Sequence, residues 1–125
     1  MIQAIRSRTE AKVFFHSCGA VSSLIEDFIE IGVDALNPVQ VSAKGMEPAA
    51  LKQKFGGRIT FWGGIDTHRI LPNGSPQEVR EEVRRMVGLM GRGGGYVLAS
   101  VHNIQADVPP ENVAAMLGEA VSARW

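Results

Sequence analysis

The feature that most constrains this fold is a short, mostly apolar run followed by a helical pattern, four times in succession. The runs lie near residues 12–15, 34–37, 59–62 and 96–101. Such runs, rather than strictly alternating ones, are typical of strands in a parallel sheet that is covered on both faces. The order of segments therefore predicts an α/β fold of four βα units with parallel strands.

Helix boundaries are marked by proline, glycine and capping residues. Ser75-Pro76-Gln77-Glu78 combines a capping box with proline at the first helical position, so a helix is predicted to begin there. Pro110 opens the last helix, for which we expect Leu117 and Val121 among the inward residues. Residues 2–10 resemble the last turns of a helix, and Pro38 is predicted to end the second strand.

Four βα units are half of a (β/α)₈ barrel, which takes about 250 residues. The chain has 125 residues. A half-barrel leaves two sheet edges and one apolar face uncovered. We therefore expect a fragment of a longer protein, a pair of copies that forms a dimer, or an open sheet, and the helix-like residues 2–10 favour the fragment.

Composition excludes several functional classes. Lys+Arg and Asp+Glu balance at 13 each, which gives no electrostatic surface for nucleic acid or an anionic membrane. No apolar run approaches the roughly 20 residues that span a bilayer, and residues 1–8 lack the apolar core of a signal peptide. The single cysteine allows no internal disulfide, so a reducing, cytoplasmic location is expected.

Polar side chains follow every predicted strand. Because right-handed crossovers place the carboxyl ends of parallel strands at one edge of the sheet, these side chains should gather there. That edge carries the active site in α/β enzymes. The candidates are His16 and Cys18 after the first strand, Asn37 and Gln40 after the second, Asp66 and His68 after the third, and His102 and Asn103 after the fourth.

The strongest candidate is the pair His16 and Cys18. The two-residue period of a strand sends both side chains to one side. Imidazole and thiolate are preferred zinc ligands, so the pair is a candidate for two of the three protein ligands in an open, catalytic zinc site. The alternative is a histidine at the mouth of the barrel beside a small buried cysteine.

The other candidates also have two interpretations. His102 could be a third zinc ligand or a hydrogen-bond donor to a substrate carboxylate, or it could simply bond to a neighbouring loop. Asp66 could orient the substrate or support a histidine, although an Asx turn is the favoured interpretation. Asn37 and Gln40 could bind polar substrate groups or cap the loop backbone near Pro38.

Three blocks of sequence carry a family resemblance. They are FFHSCGAVSSLIEDFIEIGVDALNPVQ at 14–40, ITFWGGIDT at 59–67 and GGYVLASVHNIQADVPPENV at 94–113. Together they resemble the C-terminal half of the uroporphyrinogen decarboxylase superfamily, which includes zinc-dependent, corrinoid-linked methyltransferases. The resemblance implies that residues 1–125 form one C-terminal half-barrel domain.

The methyltransferase branch implies one set of roles. It uses a His-x-Cys pair and a later cysteine as zinc ligands, and the pair falls on His16 and Cys18. The later cysteine would fall near Val101-His102-Asn103, and the sequence holds no second cysteine. His102 could replace it, because His₂Cys sites bind zinc. The implied reaction transfers a methyl group from a corrinoid, carried by a partner protein, to a thiol.

The decarboxylase branch implies another set. It has a histidine in a GHG-like turn that holds the tetrapyrrole substrate, and His102 lies there within Val-His-Asn. Its GNLDP-like segment corresponds to residues 63–67, which makes Gly64 a candidate for substrate binding together with Asn103. Its arginine-rich substrate segment belongs to the N-terminal half, outside these blocks. This reaction uses no cofactor.

The resemblance therefore favours a zinc-dependent methyltransferase, with a cofactor-free decarboxylase of tetrapyrrole acetate groups as the alternative. A third possibility is a half-barrel without activity of its own. Catalytic groups must be held to about 0.5 Å by their surroundings, so we expect the 125 residues alone to be inactive. A homo-oligomer is the expected assembly, and a small molecule the expected ligand.

Overall fold

The computed structural model describes residues 2–123. Strands and helices alternate along the chain, as the sequence predicts. In chain order they are α1 Ile2–Arg6, β1 Phe14–His16, α2 Ile25–Glu30 after a 3₁₀ turn at Ser22–Leu24, β2 Ala35–Val39, α3 Pro48–Phe55, β3 Thr60–Ile65, α4 Ile70–Asn73, α5 Pro76–Met90, β4 Tyr96–Ser100 and α6 Pro110–Ser122.

The four strands form one parallel sheet in the order β1-β2-β3-β4. Each strand pairs with the next one along the chain, the order that consecutive strands of a (β/α)₈ barrel have. This order confirms the predicted α/β fold of four parallel βα units, half of the eight-stranded barrel. Within residues 2–123, β1 and β4 each have one edge with no strand beside it.

The hydrophobic core lies between the sheet and the helices on one face. Leu36 and Phe61 point from β2 and β3 into this core and are fully buried. The neighbouring position in β3, Trp62, points the other way and is 37% exposed. Phe14 in β1 contacts it, with ring centroids 5.1 Å apart. The two aromatic rings therefore mark a second sheet face, which we call the open face.

One predicted strand boundary is wrong. β2 does not end before Pro38 but continues through it to Val39, across a cis Asn37–Pro38 peptide. The pairing of β2 with β3 shifts register between Leu36 and Val39, and such an irregularity accommodates a residue that has no N–H to donate.

The predictions for the helices have mixed outcomes. The capping box of α5 is confirmed, because the Ser75 hydroxyl accepts from the Glu78 N–H while the Glu78 carboxylate accepts from the Ser75 N–H. The predicted burial of Leu117 and Val121 is wrong, since they are 56% and 89% exposed. Helix α6 instead buries its Ala115 side against α5 and α4.

None of the described helices is long and apolar enough to cross a membrane.

Candidate functional site at the carboxyl ends of the strands

A cleft of about 500 Å³ lies at the carboxyl ends of the strands, on the open face. It brings together four of the predicted site residues from β1, β2 and the segment after β4, and it has no charged side chain in its lining. The lining residues are His16, Asn37, Trp62, Ala99, Ser100, Val101, His102, Asn103 and Gln105.

The His16 imidazole is held by Asn37. The two residues are directly opposite each other in the β1–β2 pairing. The Nδ1 atom of His16 lies 2.7 Å from the Asn37 Oδ1 atom. Because an amide oxygen only accepts hydrogen bonds, Nδ1 is the donor, and in the neutral ring Nε2 then has the lone pair. The bond therefore fixes both the orientation and the tautomer of the ring.

The free nitrogen of His16 faces Cys18. Nε2 lies 3.2 Å from the Cys18 sulfur, and Cys18 is exposed. The predicted placement of both side chains on one side is thus confirmed. Bonds of about 2.0–2.1 Å to nitrogen and about 2.3 Å to sulfur place two ligands of tetrahedral zinc about 3.5 Å apart. The observed separation is close to this value, so the pair could hold a metal ion.

His102 lies on the opposite wall of the cleft. Parallel strands are spaced by about 4.8 Å, so the three spacings from β1 to β4 amount to about 14 Å. In agreement, no three His, Cys, Asp or Glu side chains among residues 2–123 are grouped closely enough to hold a metal ion. The ring of His102 packs edge-on against His68, with centroids 5.4 Å apart. Its role as a third zinc ligand stays a prediction.

Asp66 and Gln40 both bond to loop backbone. The Asp66 carboxylate accepts from the N–H groups of His68 and Arg69, at 2.7 and 3.2 Å, which is the Asx-turn arrangement. The Gln40 side-chain oxygen accepts from the Gly19 N–H at 2.8 Å. Gln40 thereby anchors the loop immediately after Cys18, and Asp66 shapes the loop that carries His68.

Gly64 packs against the helix layer. Its φ is +99°, and a Cβ atom there would lie 2.4 Å from the Met86 Cε atom and 2.9 Å from the Tyr96 hydroxyl. This packing explains the glycine without a ligand. Asn103 lines the cleft and is exposed, and its backbone carbonyl accepts from the Gln105 side chain. Substrate binding by Gly64 and Asn103 stays a prediction.

Sequence reasoning missed two supports of the site. The pairing of Asn37 with His16 depends on the register of β1 and β2, which the sequence does not state. Tyr96 lies beneath β3 and donates a hydrogen bond from its hydroxyl to the Gly63 carbonyl at 2.8 Å. Burial raises the pKa of Tyr96, so the phenol stays protonated and keeps donating. The sequence held one indication of this contact: a double glycine within a strand suggests that another group closely approaches the strand backbone.

Comparisons with known proteins agree with this architecture. The family model described as uroporphyrinogen decarboxylase (URO-D) matches residues 1–123. The chain is 31% identical over 109 residues to the uroporphyrinogen decarboxylase of Methylococcus capsulatus, covering 87% of this chain and 29% of that protein. It is 33% identical over 97 residues to the enzyme of that name from Legionella pneumophila, covering 78% and 26%.

A solved structure is also similar. The methyltransferase from Methanosarcina mazei matches with a TM-score of 0.76 at 22% identity, over 97% of this chain and 34% of that chain. At this identity the likeness concerns the fold alone. The chain thus spans about three tenths of the curated relatives it matches. The family match over nearly all of its length, the parallel half-barrel and the polar cleft lead to one conclusion: this chain belongs to the uroporphyrinogen decarboxylase family.

Proposed function

We propose that this chain forms the zinc-binding wall of a methyl-transferring enzyme, with His16 and Cys18 as two of the zinc ligands. The observation that carries the proposal is the 3.2 Å contact between the His16 Nε2 atom and the Cys18 sulfur. Asn37 supports it further, because metal-bound histidines usually donate their other N–H to an oriented acceptor. The exposure of Cys18 does not fit the alternative of a buried structural cysteine.

The rest of the cleft suits a small thiol substrate. Zinc bound here would hold the thiol as thiolate, a nucleophile toward a methyl group carried on a corrinoid. Asn37 keeps the His16 lone pair aimed into the cleft, and Trp62 supplies an apolar wall. His102 and Asn103 offer hydrogen-bonding groups from the opposite side to the polar part of the substrate.

Metal analysis tests the zinc proposal directly. We expect about one zinc per chain in the purified protein, and we expect Cys18→Ala to abolish binding because a four-ligand site loses its thiolate. Ser17→Ala is the matched control, since it removes a neighbouring hydroxyl and no ligand. A zinc-free wild-type protein, or full zinc retention in Cys18→Ala, would contradict the proposal. Loss of methyl from methylcobalamin in the presence of a small thiol is the corresponding activity measurement.

A second candidate function is cofactor-free decarboxylation of a tetrapyrrole. The observation that favours it is that both curated relatives described above are named uroporphyrinogen decarboxylase. His102 would then donate to a substrate carboxylate from the cleft wall. Because no charged side chain lines the cleft, the cations that bind the other carboxylates would come from outside these residues. Turnover of uroporphyrinogen that is unaffected by a metal chelator would favour this function over methyl transfer.

A further inference from the structure

Two histidine rings meet beside the cleft, just beyond the carboxyl ends of the neighbouring strands β3 and β4. Ile65 pairs with Ser100 where these two strands end. His68 is the third residue after the end of β3, and His102 is the second residue after the end of β4. The ring centroids lie 5.4 Å apart at an interplanar angle of 66°, an edge-on contact within the 4.5–7 Å range of attractive aromatic pairs. The pairing of β3 with β4 therefore brings the two imidazoles into contact.

The orientation of the His102 ring is not set by a hydrogen bond. Among residues 2–123, no group bonds to either of its ring nitrogens, whereas Asn37 orients the His16 ring through its Nδ1 atom. His102 is half-buried and lines the cleft. Its nitrogens are therefore available to a bound molecule. The plane of the ring is set by packing, and His68 supplies the ring against which it packs.

The backbone around His68 is held by several hydrogen bonds. The Asp66 carboxylate accepts from the His68 N–H at 2.7 Å, and the Asn73 side chain donates to the His68 carbonyl at 3.3 Å. The buried Asn112 side chain on α6 donates to two backbone carbonyls in and directly after α4, at 2.8 and 2.7 Å. These bonds tie the segment to itself and to α6. The segment thus presents the His68 ring in a defined place, although this side chain is 62% exposed.

The His68 ring forms no hydrogen bond with any group of residues 2–123. Its Nδ1 atom lies 4.0 Å from the Asp66 Oδ1 atom, which is beyond hydrogen-bonding distance. That oxygen already accepts from two backbone N–H groups. His68 is not among the residues that line the cleft, whereas His102 is one of them. What His68 offers to the site is therefore the shape of its ring, applied to His102.

We propose that His68 is a positioning residue for His102, whose imidazole it holds in the orientation that keeps the ring nitrogens available to the substrate. The role of the substrate in this inference rests on the proposed function, whereas the orientation of the ring does not. The inference holds for methyl transfer and for decarboxylation, because His102 contacts a polar group of the substrate in both. It requires a flat ring at position 68 and no ring nitrogen there.

Nuclear magnetic resonance of the imidazole rings tests the orientation without any substrate. The sequence holds three histidines, so substituting each in turn assigns their ring signals. In wild type the His102 ring should have an order parameter close to the roughly 0.85 of rigid backbone, and in His68→Ala it should fall below about 0.6. His68→Phe keeps a ring and should restore the order, whereas His68→Gln keeps polarity without a ring and should not. Arg69→Ala is the control, since it removes an exposed neighbour that lies outside the cleft lining.

Kinetics of the thiol-dependent demethylation of methylcobalamin distinguish positioning from a contribution to folding. His68→Ala should raise the KM for the thiol by about 2–10-fold, the equivalent of one hydrogen bond, with kcat nearly unchanged. A loss of folded protein instead lowers the apparent kcat at an unchanged KM. The melting temperature of His68→Ala should equal that of wild type, and His68→Phe should recover the wild-type KM.

Two results would overturn the positioning role. One is a His102 ring that stays as ordered in His68→Ala as in wild type. The other is a His68→Phe protein that behaves like His68→Ala, because a ring nitrogen of His68 would then be the group that matters. A wild-type protein without demethylation activity contradicts the proposed function only, and the ring measurements then decide the positioning role by themselves.

Discussion

Gly64→Ala is expected to destabilise the chain through its packing against α5, irrespective of any ligand. Gly64 lies in β3 with a φ of +99°, a conformation that L-residues rarely adopt. The added Cβ atom would lie 2.4 Å from the Met86 Cε atom. Met86 is fully buried, so its methyl group has no solvent-filled space to move into.

The two effects can be estimated separately. An unfavourable backbone conformation costs about 1–3 kcal/mol, and overpacking in a core costs about 1–3 kcal/mol. Gly64→Ala should therefore lower the free energy of unfolding by about 2–6 kcal/mol, a large share of the roughly 5–15 kcal/mol of a typical domain. Because Met86→Ala removes one of the two close contacts, the same substitution in that background should cost less, and the remaining cost comes from the backbone conformation and from the Tyr96 hydroxyl, 2.9 Å from the added Cβ atom.

Urea unfolding followed by circular dichroism, at one fixed protein concentration, measures these differences. The control is Gly88→Ala, at an exposed position of α5 with open space around it, which should be neutral or stabilising by up to about 1 kcal/mol. A loss below about 1 kcal/mol for Gly64→Ala, or an equal loss with and without Met86→Ala, would refute the packing explanation.

Three further predictions follow from buried or oriented polar groups. Asn112 is buried and donates to two backbone carbonyls at 2.8 and 2.7 Å, so Asn112→Ala should cost about 2–4 kcal/mol in urea unfolding. The Val13 N–H that donates to Asp34 holds the pKa of that carboxyl below its usual 3.8, so its stabilisation is present at neutral pH and is lost as the pH falls below 3.8. Asp34→Asn should accordingly lower the melting temperature at pH 7 and flatten its decline in acid. Asn37→Ala should weaken zinc binding about 10–100-fold in a competitive titration, because it removes the acceptor that orients His16.

Much of the fold is predictable because it depends on local patterns. Four apolar runs and the residues that open and close helices were sufficient for the alternation of strands and helices, the parallel direction and the start of α5 at Pro76. The errors occur where a local rule is overridden by pairing. Pro38 stays within β2 because a register shift accommodates it, and Leu117 is exposed because α6 turns another side toward α5.

The candidate site is predictable in part for the same reason. The two-residue strand period places His16 and Cys18 together, and chain topology places His102 on the same cleft. The distances between groups on different strands could not be predicted from the sequence. Only the order of the strands shows that His102 is three spacings from His16.

The sequence by itself determined the α/β class, the family and the identity of the polar groups at the strand ends, since each depends on residues close together in the chain. Tertiary structure decided which of these groups meet. Register set Asn37 opposite His16, and strand order separated the two edge strands that Cys18 and His102 follow. Contacts between strands depend on the alignment of whole elements, which no single segment encodes.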